Sequence, residues 1–269
     1  MSSEQHSKHT ELQQKIDSLK SGFKDRYVKT INIDEKQIKQ RKKQGKALID
    51  KDKIKIDGKF LEELSGDFWQ ILKDYSDLGD KEGNHKKKIN IEKLTRLVLA
   101  GDLAGLKSLA RKINLQEELL LFLGSNLAQA ILGAYAYKLQ EKVDNGWLKE
   151  YCPICGSSPC MGKFAREDGK RILYCQFCGT QWVYRRIMCP FCGNDDHNSL
   201  RYFFTEENSP YRVDVCDKCK RYIKGIDERK LPEGKNIDLS FEYMNTLYLD
   251  VLAQKDGYQN PVFWMMELT

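Results

Sequence analysis

Eight of the nine cysteines in this chain fall into four C-x-x-C pairs: Cys152/Cys155, Cys175/Cys178, Cys189/Cys192 and Cys216/Cys219. No other feature of the sequence restricts the fold as tightly. A C-x-x-C turn lets two thiolates reach one ion, and a glycine after the second cysteine (Gly156, Gly193) permits the tight backbone turn. Two such knuckles joined by a β-hairpin close a tetrahedral shell of four sulfurs. The gaps from Cys155 to Cys175 and from Cys192 to Cys216, 19 and 23 residues, suit a short hairpin. A single pair could be a dithiol redox motif; four within one short stretch point to metal. Sequential pairing, first with second and third with fourth, is preferred to a cross-braced first-with-third arrangement because each half is a complete knuckle–hairpin–knuckle.

The halves are an internal repeat. Each opens on Cys-Pro-x-Cys-Gly, at Cys152 and at Cys189, and continues through a strand, a polar turn and a second strand to its closing pair. Glu167-Asp168-Gly169 and Glu206 to Pro210 are the turns, and Gln181 to Arg185 and Leu200 to Phe204 read as strands. Modules this small bury little core, so the metal supplies the folding energy. The cofactors expected are two tetrahedral S₄ ions, zinc or iron, held by the eight paired cysteines. Cys160 reads as a buried bystander and His197 as a surface polar residue.

The rest of the chain is helical in pattern. Leu61, Leu64, Phe68, Ile71, Leu72 and Tyr75 recur at helical spacing. A polar break at His85 to Lys88 precedes a helix from Ile89 to Leu99, stopped by Gly101, and Asp102 can cap the next. Asn114 and Glu117 resemble a capping box before the apolar run Leu119 to Tyr137. Ser125, Asn126 and Gln129 interrupt that run, which reads as a core helix and not a membrane span. The basic run Lys36 to Lys43 reads as a solvated helix face or a loosely ordered arm. Leu239, Tyr243, Leu247 and Val251 predict one closing helix ended by Gly257.

The fold class expected is α+β: an N-terminal helical domain, two tandem zinc-ribbon or rubredoxin-like modules and a C-terminal helix. The boundaries expected are 1–148 for the helical domain, with 1–55 basic and mobile in reading, 149–188 and 189–233 for the ribbons, and 234–269 for the closing helix packed on the body. The polar start, Met1 to Lys20, has no apolar leader, so a cytoplasmic, reducing location is expected. A net charge of +6 is mild for this length and does not by itself argue for nucleic acid. No G-x-S-x-G, H-E-x-x-H or phosphate-loop pattern occurs, and four histidines, His6 and His9 among them, give little acid–base capacity.

The cysteine frame together with its surroundings resembles the FdhE family. The residues that carry the resemblance are Cys152 to Pro159, Arg171 to Cys178, Trp182 to Arg186, Cys189 to Gly193, Cys216 to Lys224, Leu247 to Ala253, Gly257-Tyr258 and Asn260-Pro261. It covers roughly Asp102 to Pro261 and fades before residue 55. Cys160 stands where the family usually has a small residue. The resemblance implies a cytoplasmic accessory factor, not an enzyme. Such a factor is needed to make active molybdenum- or tungsten-dependent formate dehydrogenase and binds its catalytic subunit. Trp182, Tyr184, Arg185 and Arg186 leave the second knuckle between the two ribbons, and an inter-ribbon groove lined by them is the expected partner site. A nucleic-acid-binding ribbon protein, with Trp182, Tyr184 and Tyr222 stacking and Arg185, Arg186, Lys220 and Arg221 on phosphates, ranks second. A rubredoxin-like electron carrier ranks third.

Overall fold

The computed structural model describes residues 3–75, 89–144, 146–207 and 209–260. The predicted break at His85 to Lys88, Asn208 and Pro261 lie outside these residues, as do the side chains of His6, His9 and Tyr75. Among the described residues two compact units emerge, one of 3–35 with 49–75 and 89–138, the other of 36–48 with those from 139 to 260. These units cut across the expected boundary at 148.

The first unit is helical: α1 (Ser3–Tyr27), α3 (Gly58–Tyr75), α4 (Ile91–Ala100), α5 (Leu103–Ile113) and α6 (Glu117–Leu139). The predicted stripe on α3 is its buried face, with Leu61, Leu64 and Phe68 at 1% exposure or less. Asn90 caps α4 by accepting from the Lys93 N–H, Gly101 ends it at φ 69°, and Asp102 caps α5 by accepting from the Gly105 N–H. Asn114 corrects the sequence reading. It is the left-handed C-cap of α5, φ 55°, where its N–H reaches Ala110 and Arg111 carbonyls, and not an N-cap of α6. Helix α6 is long and apolar enough to cross a membrane, yet 78% of its apolar window is buried inside the protein, the pattern of a core helix.

The second unit holds a six-stranded sheet. Its strands are β1 (Met161–Phe164), β2 (Arg171–Tyr174), β3 (Gln181–Tyr184), β4 (Leu200–Phe203), β5 (Tyr211–Cys216) and β6 (Arg221–Asp227). The order is β3-β2-β1-β6-β5-β4, so each ribbon contributes an antiparallel three-stranded half. The halves join head to tail through parallel pairing of β1 with β6, Met161 opposite Lys224 and Phe164 opposite Asp227. Strand β6 is therefore central and buried from Tyr222 to Asp227.

One face of this sheet is covered by two short helices, α7 (Leu239–Asn245) and α8 (Leu247–Lys255), in place of the single closing helix expected. Thr246 breaks the pattern: its hydroxyl donates back to the Glu242 carbonyl at 2.7 Å, competing with continuation of the helix. After the break the inward face is Leu249, Asp250 and Ala253, and Val251, expected inside, is 48% exposed. Cys160, Met161, Tyr174 and Ile226 pack against Leu239 and Tyr243 of α7, while Val213, Val215 and Tyr222 pack against Leu249 and Ala253 of α8.

The basic run also finds a place here. It forms α2 (Glu35–Lys43), which buries Ile38 and turns its lysines to solvent. The segment after it docks on the first ribbon. Leu48 N–H donates to the Pro153 carbonyl at 2.8 Å, and the Gly45 carbonyl accepts from Tyr151 Oη at 2.6 Å. Residues 36–48 are thus part of the ribbon unit rather than a loose arm.

Candidate metal centres

All four knuckles have one backbone geometry. The residue after the second cysteine adopts the left-handed conformation: Gly156, Gly179 and Gly193 at φ 75°, 74° and 68°, and Lys220 at φ 55°. In each, that residue's N–H returns to the carbonyl of the first cysteine, at 2.8 to 3.0 Å. This turn aims both thiols the same way, and a hairpin carries the facing knuckle to meet it.

Two clusters result, Cys152, Cys155, Cys175 and Cys178, and Cys189, Cys192, Cys216 and Cys219, with the sulfurs of each within 4.8 Å of one another. Pairing is sequential, as preferred from the sequence. Sulfur separations are 3.4 Å for Cys152–Cys178, 3.5 Å for Cys155–Cys175, 3.7 Å for Cys189–Cys219 and 3.8 Å for Cys192–Cys216. A Zn–S bond of about 2.3 Å implies an S···S edge of about 3.8 Å in a tetrahedron, whereas a disulfide needs about 2.05 Å. The donor set therefore fits a metal ion.

Charge supports the same fit. Hydrogen bonds from Cys152, Cys175 and Cys178 hold Cys155 well below the ordinary thiol range, while burial pushes Cys175 and Cys178 well above it. A bound dication would favour the ionised form of all four thiols. Zinc and iron both suit such a shell. Around it, Thr180 Oγ1 lies 3.0 Å from Cys178 Sγ, and Asn194 Nδ2 donates to Cys216 Sγ at 3.6 Å. Cys160 belongs to neither cluster. Burial raises its thiol to about 12, and its Sγ contacts the Tyr174 carbonyl at 3.6 Å.

The clusters differ in access. Every ligand of the first is buried, whereas Cys192 is exposed and Cys219 half-buried in the second. A chelator is expected to strip the second site first, and an alkylating reagent to mark Cys192 first. Timed metal analysis with peptide mapping checks this. Equal loss from both sites, or earlier loss from the first, would refute the ordering.

The predicted partner residues separate. Strand β3 is the outer edge of the sheet and not a divider between the ribbons. Trp182 and Tyr184 face inward, 4% and 2% exposed, with Trp182 Nε1 donating to the Lys149 carbonyl at 3.0 Å and Tyr184 Oη to the Cys189 carbonyl at 3.3 Å. They are packing residues and offer no surface to a partner. Arg185 and Arg186 are exposed, and they diverge: Arg185 borders a concavity beside Lys149 and Trp147, while Arg186 enters a groove between the ribbons.

That groove, about 560 Å³, lies on the sheet face opposite α7 and α8. It borders Cys189 and Cys216 of the second centre, and its rings are Phe164, Phe191, Tyr202 and Phe204. Tyr202 and Ile187 stand exposed at its border, 56% and 65%. Arg171, not singled out from the sequence, is 5% exposed there, donating to the Met188 carbonyl at 3.0 Å and to Asp214 at 3.2 Å. The signal that could have found it is strand alternation, which puts Arg171 and Tyr174 on opposite faces of β2.

With the fold and both centres described, comparison with known proteins places the chain. The family model for the FdhE central domain matches residues 151–186, the first ribbon. The FdhE homolog of Aquifex aeolicus is 30% identical over 232 residues, spanning 85% of this chain and 77% of that protein. The Escherichia coli K12 FdhE protein is 29% identical over 120 residues, 44% of this chain and 37% of its own. The crystal structure of the FdhE protein from Pseudomonas aeruginosa superposes with a TM-score of 0.63, covering 92% of this chain and 91% of that one at 18% identity, a likeness of fold. A relative of this identity and coverage shows that the chain belongs to the FdhE family.

Proposed function

We propose that this protein is a cytoplasmic accessory factor for the maturation of molybdenum- or tungsten-dependent formate dehydrogenase, acting by binding the catalytic subunit. Membership of the FdhE family carries this reading. The chemistry of the centres supports it. A closed S₄ shell has no open coordination position, so each ion works by holding a rigid ribbon rather than by polarising a substrate. Rigidity favours a binding surface, because less freedom is lost when the partner docks.

Because Trp182 and Tyr184 are buried, this reading puts the contact surface at the groove's border, where Ile187 and Tyr202 offer apolar area beside Arg186. Exposed aromatic and arginine residues around an apolar centre are the composition of interface hot spots. Ile187→Glu is expected to reduce co-purification of the catalytic subunit and cellular formate dehydrogenase activity about tenfold or more, while metal content stays at two ions per chain. Unchanged association and activity in both Ile187→Glu and Tyr202→Glu would exclude this border as the docking surface.

A further inference from the structure

The groove carries far more positive charge than its own carboxylates balance. Its lining holds six arginines and Lys230 against Asp214 and Asp227. Asp214 is shared, accepting from Arg171 at 3.2 Å and from Arg212 Nε at 2.9 Å. Asp227 accepts from Arg229 Nε at 2.8 Å. Arg201 is held from outside by Asp217, at 2.8 Å. Arg186 and Arg221 have no carboxylate partner among the described residues, and their guanidinium groups lie over the rings of Phe164 and Phe191 at 5.9 Å each.

The guanidinium groups converge because strands from both ribbons deliver them. Parallel pairing sets Phe164 opposite Asp227, and the first hairpin sets Phe164 opposite Arg171. Arg171, Arg186 and Arg212 then surround one ring, at 5.9, 5.9 and 4.7 Å from the Phe164 centroid. Arg186 Nη1 and Arg229 Nη1 both come within 3.3 Å of the point where a Cβ on Gly169 would stand. A Cβ there would ask each guanidinium to give by a few tenths of an ångström. Asp227 neutralises Arg229 there, and the unpaired Arg186 beside it leaves net positive charge facing the groove. Guanidinium forks match the oxygens of a phosphoryl group, and two or more from different strands can share one.

The groove offers a second chemistry next to the first. Tyr202 presents its ring over Arg212 at 4.0 Å, and Phe191 lies on the wall near the second metal centre. A planar heterocycle can stack on such rings. At about 560 Å³ the space falls within the usual range for small-molecule sites. We infer that this inter-ribbon groove is a binding site for a small phosphate-bearing ligand of the nucleotide class, its phosphoryl oxygens among Arg186, Arg212 and Arg229 and its flat ring against the groove's aromatics. This site goes beyond the binding of a protein partner.

Titration calorimetry on the full-length, metal-loaded protein at low salt tests the assignment, with ADP, adenosine, inorganic pyrophosphate and a short single-stranded RNA as probes. ADP should bind one to one, more tightly than pyrophosphate, and adenosine should not bind measurably. Arg186→Gln, which removes no internal ion pair, should weaken ADP about tenfold or more. Lys170→Gln, an equal loss of charge at an exposed residue outside the groove, should leave ADP affinity within about twofold. The inference is overturned by absence of saturable ADP binding, or by equal weakening in the two variants, which would mean a diffuse field. ADP binding no tighter than pyrophosphate removes the ring from the site, and RNA binding more than tenfold tighter than ADP assigns the groove to nucleic acid. No formate dehydrogenase subunit is present in this measurement, so its failure leaves the proposed accessory role standing.

Discussion

Cys175→Ser is expected to release one of the two metal ions and to cost the chain all of the first ribbon. Structural zinc contributes on the order of 10–16 kcal/mol apparent binding energy in small modules, as much as a whole domain's net stability. Cys175 follows β2 directly and its thiol is fully buried. Loss of the ion releases β2 and β3, and β1 then has only β6 as a partner in the sheet, with α7 packed on its face. The damage should therefore reach across the ribbon boundary, which an independent-module reading of the sequence does not anticipate. Amide exchange should quicken throughout β1, β2 and β3 and at the β6 amides that face β1. Helices α3 to α6 should keep their protection, because Leu61, Leu64, Phe68, Leu120, Leu123 and Leu127 form an apolar core of their own. Unaltered protection in β6 would mean that the β1–β6 pairing is energetically idle; loss of protection in α3 to α6 would mean that the two units fold as one.

The second large effect is expected at Lys224 and Asp250. Both side chains are wholly buried, with Lys224 Nζ 2.6 Å from Asp250 Oδ2 and 2.7 Å from the Tyr243 carbonyl. Tyr222 Oη donates to the other carboxylate oxygen at 2.8 Å. Burial pushes the lysine below its ordinary range and the aspartate above it, so each opposes its own charge and depends on the other's. Asp250→Ala leaves a buried ammonium unpaired and should cost about 3–5 kcal/mol. Replacing all three groups together, as Lys224→Met, Asp250→Leu and Tyr222→Phe, removes every unsatisfied charge and donor and should recover most of that loss. Midpoints of denaturant unfolding on the metal-loaded protein measure both. A triple variant no more stable than Asp250→Ala would show that this network does more than anchor α8 to β6.

What the sequence made legible was what local chemistry decides. A knuckle is set by five consecutive residues, so both centres could be read from the cysteines, and the hairpin inside each half favoured their sequential pairing. The caps at Asn90, Gly101 and Asp102 are equally local. Asn114 misled because asparagine serves two cap positions: its side chain suits an N-cap, and its tolerance of positive φ suits a C-cap, which is its role here. The hidden features were pairings between distant segments. Nothing near Met161 announces that it lies opposite Lys224 in a parallel ladder. Without that register, β3 could be placed between the ribbons as easily as at the edge. Trp182 and Tyr184 then looked available, although alternation along β3 turns both inward. The arginine groove was invisible for the same reason, because its residues come from both ribbons and no two of its floor arginines are neighbours in sequence.

The docking of residues 36–48 on the first ribbon fixes an order of events during synthesis. The Gly45 carbonyl bonds to Lys149 and Tyr151, 104 and 106 positions later, and Leu48 must wait for Pro153. At about 5–20 residues per second, this segment spends roughly 5 to 20 s outside the ribosome before its docking partners emerge. Residues 49–138, by contrast, can begin to assemble with 1–35 as they emerge. The ribbon unit is therefore completed by a piece of chain made long before it. The earliest synthesised part of that unit can settle only once the first knuckle has emerged.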